Sequence, residues 1–209
     1  MPTKADLEPC QLYLLFTPSL CRADPWQTLR KALGSGCIDL VQWRQKDHDA
    51  DEHQNVERCA AICRAFGVPL VINDNVALAA KLNAAGSHIG QDDMTPADAR
   101  RLLGPSRWLG ISTHSDQEID AAIAAGADYI GFGPIFPTAT KGYREGQPAA
   151  ALDRALARST VPVFAIGGIT ARRLVGLRAP RIAVSSAILD AGDPEAAALE
   201  LGRALRRRR

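Results

Sequence analysis

The stretch AAGADYIGFGPIFPTATKG, residues 124–142, carries the reading of the fold. It begins as a helix end, Ala124-Ala125, turns on Gly126 and enters a strand-like run, Ala127-Asp128-Tyr129-Ile130. The same order of helix end, glycine and strand occurs in AAGSHIG, residues 84–90, a weak internal repeat of the kind a βα module leaves. Past the strand comes GFGPIFPTATKG (131–142), which can neither pack a core nor continue a helix. Gly131 and Gly133 let the backbone approach a ligand, and Pro134 and Pro137 stiffen it. Thr138, Thr140 and Lys141 supply hydroxyl, amide and ammonium donors that suit a phosphate. An ordinary connection made of turn residues would read the same way, so the choice falls to the rest of the chain.

Working outward, short apolar runs alternate with helix-like segments throughout. Strands are predicted over Leu12–Phe16, Ile38–Trp43, Leu70–Ile72, Ser87–Gly90, Trp108–Ile111, Tyr129–Phe132, Val163–Ile166 and Ile182–Ser185. Amphipathic stretches such as Pro25–Leu33, Asp51–Phe66 and Ser115–Ala125 lie between them. Eight such units without a Pro/Ser-rich gap predict one closed (β/α)8 TIM barrel. It would form a single domain over 1–209, with a short N-terminal extension (about 1–11) and an Arg-rich tail (about 203–209). An open doubly wound sheet is the alternative, weakened because no G-x-G-x-x-G turn follows the first strand.

Bulk properties narrow the function. A chain of 209 residues, 46% hydrophobic, can bury one sizeable core. Net charge is +2 and aromatics are 5%, with no basic stripe, so neither a nucleic-acid partner nor a membrane surface is expected. The one basic block, Arg203 with Arg206 to Arg209, reads as a solvated helix end. Five cysteines without C-x-x-C spacing indicate neither a zinc site nor a disulfide framework. Residues 1–10 are polar and carry acids, unlike a signal peptide, and no apolar run reaches membrane-spanning length. The expected location is cytoplasmic; the oligomeric state, a homo-oligomer included, stays open.

Polar chemistry gathers where the strands end. The second strand runs into QWRQK, the third into NDN, the fourth into GQDD and the fifth into Ser112-Thr113-His114. The sixth opens the stretch described above, the seventh gives IGGIT and the eighth ends in Ser185-Ser186. In a barrel all these ends converge on one mouth. Gln42, Arg44 and Lys46 alternate along an extended run and would share a face suited to a polyphosphate, unless they pair with Asp47 and Asp49 as a solvated end. Asp74 follows the third strand and Asp92 and Asp93 follow the fourth, and two carboxylates from these adjacent ends, Asp74 with Asp93 or Asp92, could share one hard cation such as Mg²⁺. Alternatively Asn73, Asp74 or Asn75 caps the next helix, and the acids are plain ion-pair partners. Gly167-Gly168 with Ser185-Ser186 would form a second anion site after strands seven and eight. His88 is expected inside or lining the barrel, and His114 beside the site. No Ser-His-Asp or Cys-His set is present, so the expected chemistry leans on charge stabilisation of a leaving group.

The runs VQWRQKD, VINDN, HIGQDD, GIST, YIGFGPIFPTATK, FAIGGI and VSSAI, in this order, resemble the thiamine-phosphate synthase family over roughly residues 12–190. The resemblance implies a (β/α)8 barrel transferase of thiamine biosynthesis that needs Mg²⁺. Such an enzyme joins 4-amino-2-methyl-5-hydroxymethylpyrimidine diphosphate to 4-methyl-5-hydroxyethylthiazole phosphate with release of diphosphate. It further implies that Gln42, Arg44, Lys46 and Asn73 surround the pyrimidine diphosphate, and that Asp74 and Asp93 hold the metal. Ser112 would contact the pyrimidine diphosphate and Lys141 its diphosphate, which makes Lys141, Ser112 and Arg44 the catalytic set. Thr138 and Thr140 would meet the thiazole phosphate, cradled by Gly168, Ser185 and Ser186.

Departures from the family pattern are Trp43 for leucine, Gln45 for a common glutamate and Ser185 for an apolar residue. A related thiazole tautomerase, which resembles a family with histidine where this chain has Pro134, and a non-catalytic phosphate-metabolite sensor are the rival functions.

Overall fold

The computed structural model describes residues 3–45, 52–138 and 145–206. Eight parallel strands close into a barrel in chain order. They are β1 (Leu12–Phe16), β2 (Leu40–Trp43), β3 (Leu70–Asn73), β4 (Gly86–Ile89), β5 (Trp108–Thr113), β6 (Tyr129–Phe132), β7 (Val163–Ile166) and β8 (Ile182–Val184). Helices α1 (Pro25–Gly34), α2 (Glu52–Ala65), α3 (Val76–Lys81), α4 (Pro96–Leu103), α5 (Asp116–Ala124), α6 (Ala149–Arg158) and α7 (Ala171–Leu174) make the crossovers. After β8 come α8 (Ser186–Leu189) and α9 (Pro194–Arg206). β8 pairs with β1, Tyr13 opposite Ala183, which excludes the open doubly wound sheet.

The strands are buried on both faces, so their apolar runs are nearly continuous in sequence. Alternate residues feed two cores. Tyr13, Leu15, Leu40, Val71, Trp108, Tyr129 and Phe164 fill the inside of the barrel. Leu12, Leu14, Phe16, Val41, Trp43, Ile111 and Ile130 face the helices. Leu7 and Cys10, from the segment before β1, belong to the inner core, and Trp108 Nε1 donates to the Thr3 carbonyl at 3.0 Å. The lower end of the barrel is thus closed by residues that precede the first strand.

Three strands have the predicted limits and five differ by one or two residues at an end, two of them for plain local reasons. β2 starts at Leu40 because Asp39 before it serves as an acceptor: its carboxylate takes the N–H groups of Gln11 and Leu12 at 2.8 and 2.9 Å. β5 runs on to Thr113 because Ser112 and Thr113 still pair with Gly131 and Phe132. At the other end of the strands, helices begin on short polar caps. Asn75 accepts from Leu78 N–H, Thr95 from Asp98 N–H, Ser115 from Glu118 N–H and Thr170 from Arg173 N–H.

α9 packs against α1, with Leu201 and Leu205 buried. Its last residue, Arg206, donates to Cys37 Sγ at 3.3 Å, so the basic end starts inside a docked helix. All five cysteines are free thiols. Among the described residues no helix is long and apolar enough to cross a membrane.

Candidate active site

The C-terminal strand ends surround a cavity of about 570 Å³, a size that suits a small-molecule ligand. Arg44 enters from β2, Ser112 to His114 from β5, and Gly133, Pro134, Pro137 and Thr138 from the loop after β6. Gly167 to Thr170 and Arg173 follow β7, and Ser185, Ser186 and Asp190 follow β8. A deeper pit of about 20 Å³ shares Arg44 and Ser112 with that cavity and adds Gln42, Asn73, His88 and Tyr13. It has room for about one water.

The loop after β6 does build a cradle, and it does so by leaning on β7. The N–H groups of Ile135 and Phe136 donate to the carbonyls of Ile166 and Gly167 at 2.8 and 3.1 Å. Gly168 has φ +59, and a Cβ there would collide with the Pro137 carbonyl and the Phe136 side chain. Close approach of the two loops therefore requires glycine. The described residues run to Thr138 and resume at Glu145. Gln147 donates from its backbone to the Pro134 carbonyl at 2.7 Å and from its side chain to the His114 carbonyl at 2.8 Å. Thr140 and Lys141 lie outside the described residues, as does Lys46.

Gly168, Ser185 and Ser186 share one wall of the cavity. Ser185 Oγ is buried without a hydrogen-bond partner. An unpaired buried hydroxyl is costly in the free protein and gains on meeting a ligand oxygen. Arg173 was not foreseen from the sequence. Its guanidinium donates to the Gly168 carbonyl at 2.8 Å and lies 5.2 Å from the Phe136 ring centre, on the same wall. One of two adjacent arginines, Arg172 and Arg173, in the first turn of a short helix carries no sequence signal of that placement.

Arg44 is buried, 6% exposed, so it is not part of a solvated strand end. Burial pushes its guanidinium below the ordinary value, and the charge of Asp74 opposes that shift. Asp74 does not cap α3, because Asn75 does. Its backbone sits at φ +60 and its N–H donates to the His88 carbonyl at 2.9 Å, placing it at the adjoining ends of β3 and β4. The Asp93 carboxylate turns back on β4, where it accepts the Gly90 N–H at 2.6 Å. Neither acid lines the cavity or the pit. Among the described residues no cluster of three or more His, Cys, Asp or Glu forms a metal cage. Carboxylates at adjacent strand ends are donors of the hard-oxygen kind that Mg²⁺ takes one or two at a time together with substrate oxygens and water.

Gln42 points into the barrel, where its amide donates to Tyr13 Oη at 2.7 Å. Tyr13 Oη lies 2.9 Å from Tyr129 Oη, which lies 3.3 Å from His88 Nδ1. His88 Nε2 meets Ser112 Oγ at 2.9 Å. His88 thus lines the barrel as expected. The two tyrosines escaped the sequence reading because an inward tyrosine reads as core. The departure at Trp43 stays on the outer face, stacked on Trp26 with centroids 6.2 Å apart, away from the mouth.

Fold and mouth together define a (β/α)8 barrel with a glycine- and serine-lined pocket between the loops after β6, β7 and β8. The chain belongs to the thiamine monophosphate synthase family, whose profile matches residues 12–188. It is 40% identical to a thiamine-phosphate synthase of Prochlorococcus marinus (strain MIT 9313) over 97% of this chain and 59% of that one. It is 42% identical to one of Thiobacillus denitrificans, over 81% of this chain and 82% of the relative. This chain therefore spans about three-fifths of the length of the first relative and about four-fifths of the second. A solved structure of thiamine phosphate pyrophosphorylase from Pyrococcus furiosus superposes with a TM-score of 0.85 at 27% identity, over 95% of this chain and 96% of that one. A 3-hexulose-6-phosphate synthase, at 15% identity and a TM-score of 0.67, shares the fold.

Proposed function

We propose that this chain is a cytoplasmic thiamine-phosphate synthase, acting as one barrel domain on two phosphorylated small molecules. The observation that supports it best is the mouth itself. A glycine-lined wall with an unpaired buried serine hydroxyl faces, across one cavity, a buried arginine and Ser112. One phosphate would rest against Gly168, Ser185 and Ser186, with Thr138 and Thr140 above it. The pyrimidine diphosphate would lie toward Gln42, Arg44, Asn73 and Ser112, with Lys46 and Lys141 on its diphosphate. Asp74 and Asp93 would hold Mg²⁺, which when bound neutralises charge on the departing diphosphate.

The reaction runs as a dissociative substitution. The bond between the pyrimidine methylene carbon and the diphosphate oxygen breaks, and its electron pair leaves with diphosphate. The amino-pyrimidine ring delocalises the resulting cation, and the lone pair of the thiazole nitrogen closes the new C–N bond. Arg44 and Lys141 stabilise charge that grows on the leaving group. The cavity walls hold the two reactants in one small volume, which removes most of the entropic barrier to their meeting.

Supplying both substrates with Mg²⁺ to the purified protein tests the reading. Thiamine phosphate and diphosphate should form together. Binding without turnover would favour the sensor, and conversion of the thiazole alone would favour the tautomerase, against which Pro134 argues.

A further inference from the structure

The hydrogen-bond chain beneath the mouth has a direction. Gln42 Nε2 can only donate, so Tyr13 Oη accepts from it. The phenol proton of Tyr13 then goes to Tyr129 Oη, its other partner, 2.9 Å away. Tyr129, having accepted, passes its own proton to His88 Nδ1. An imidazole that accepts at Nδ1 is neutral and carries its hydrogen on Nε2. Nε2 therefore donates to Ser112 Oγ at 2.9 Å. With the Gln42 nitrogen on Tyr13 Oη, this direction gives each phenol proton an acceptor, which matters because Tyr13 and Tyr129 are 2% and 0% exposed.

We propose that Gln42, Tyr13, Tyr129 and His88 act as a one-way relay that fixes the His88 tautomer and leaves the Ser112 hydroxyl as a donor into the cavity. Ser112 is the member of the chain that lines the large cavity. Because His88 donates to it, its own proton is not spent on His88 and can meet an anionic or carbonyl-like oxygen that arrives there. Tyr13, Tyr129 and His88 are positioning residues, and Ser112 makes the contact.

Packing supports the relay. Tyr13, Tyr129 and Phe164 lock edge-to-face, with centroids 5.3 to 5.9 Å apart, which holds both hydroxyls in place. Gly110 of β5 sits between the partners, and a Cβ on it would press into the Tyr129 ring, the Tyr129 hydroxyl and His88 Nδ1. Burial also pushes both phenols well above their ordinary value, so they keep their protons.

The consequence for turnover rests on the synthase reading; the direction of the relay does not. The test therefore has two arms. In the full chain with ¹⁵N-labelled histidine, long-range ¹H–¹⁵N correlation reads the tautomer, with His88 assigned among the four histidines through the His88→Gln spectrum. The relay requires an unprotonated Nδ1 and a protonated Nε2 in the free protein. An Nδ1-protonated or doubly protonated ring overturns it, whatever the enzyme does. In the second arm, Tyr129→Phe removes the proton that Nδ1 accepts. It should lower kcat about 10-fold, the usual effect of deleting a partner that orients a site group, while KM for the thiazole phosphate stays put. His88→Gln, which keeps an N–H donor near the Nε2 position, should retain more activity than His88→Leu. Equal activity of those two variants would also overturn the proposal. A correct tautomer in a protein that makes no thiamine phosphate would sink the synthase reading and leave the relay standing.

Discussion

Arg100 and Asp128 meet at 2.6 Å at the foot of the barrel, on the opposite side from the mouth. The Asp128 carboxylate, 2% exposed, also accepts the Leu109 N–H, and Arg100 donates to the carbonyls of Gly104, Arg107 and Gly126. One ion pair thus ties α4, β5 and the approach to β6. Removing one partner of a buried pair leaves a stranded charge and costs about 3 kcal/mol. Arg100→Ala should lower stability in a urea titration by that order, while kcat of the folded fraction is unchanged. A loss of kcat without loss of stability would contradict the separation of a structural foot from a functional mouth.

Gly168→Ala should act at both levels. The backbone at φ +59 is left-handed, and the added methyl meets the Pro137 carbonyl and Phe136. Strain of about 1–2 kcal/mol is expected from the conformation alone, and the cradle must shift away from β7. KM for the thiazole phosphate should rise more than kcat falls. A variant with normal KM would remove Gly168 from the phosphate wall.

Lys141→Ala tests the leaving-group end. Turnover should fall by ~10²-fold or more, because on the proposed reading the ammonium would meet charge that develops as diphosphate departs. Binding of the thiazole phosphate, measured by calorimetry, should change little. Unchanged turnover would return Lys141 to a solvated loop.

Asp93→Asn tests the metal. The amide still presents an oxygen to the Gly90 N–H, so the melting temperature without Mg²⁺ should be unchanged or slightly higher. A hard cation loses an anionic ligand, so the Mg²⁺ needed for half-maximal rate should rise, and turnover should fall by at least ~10-fold. A stable variant with normal Mg²⁺ dependence would pass the role to Asp92.

The barrel was legible because strand ends and strand bodies differ in kind. Runs such as Leu12–Phe16 and Val163–Ile166 are buried on both faces and read as continuous apolar blocks, while ligand chemistry collects after them. Arg44, Ser112, Thr138, Gly168, Ser185 and Ser186 could be placed at the mouth from that rule, and all six line the cavity. The relay could not. Tyr13 and Tyr129 are 116 residues apart, each reads as a core aromatic, and only the closed barrel brings the hydroxyls together. The start of β2 was misjudged because Asp39 looks like strand polarity and acts as a side-chain acceptor for β1. The role of Asp74 was not legible either, since Asn73, Asp74 and Asn75 are equally good caps in sequence and only Asn75 accepts from Leu78 N–H.

The most direct measurement of the central claim is a crystal structure of the protein grown with thiamine phosphate, diphosphate and Mg²⁺. The claim is that one mouth holds both ends of the reaction. It predicts the thiamine phosphate group against Gly168, Ser185 and Ser186, with the pyrimidine toward Gln42 and Ser112. It also predicts diphosphate on Arg44 and Lys141, with the cation on Asp74 and Asp93. Density for the phosphate or the metal outside this mouth, or a pyrimidine turned away from Ser112, would contradict it.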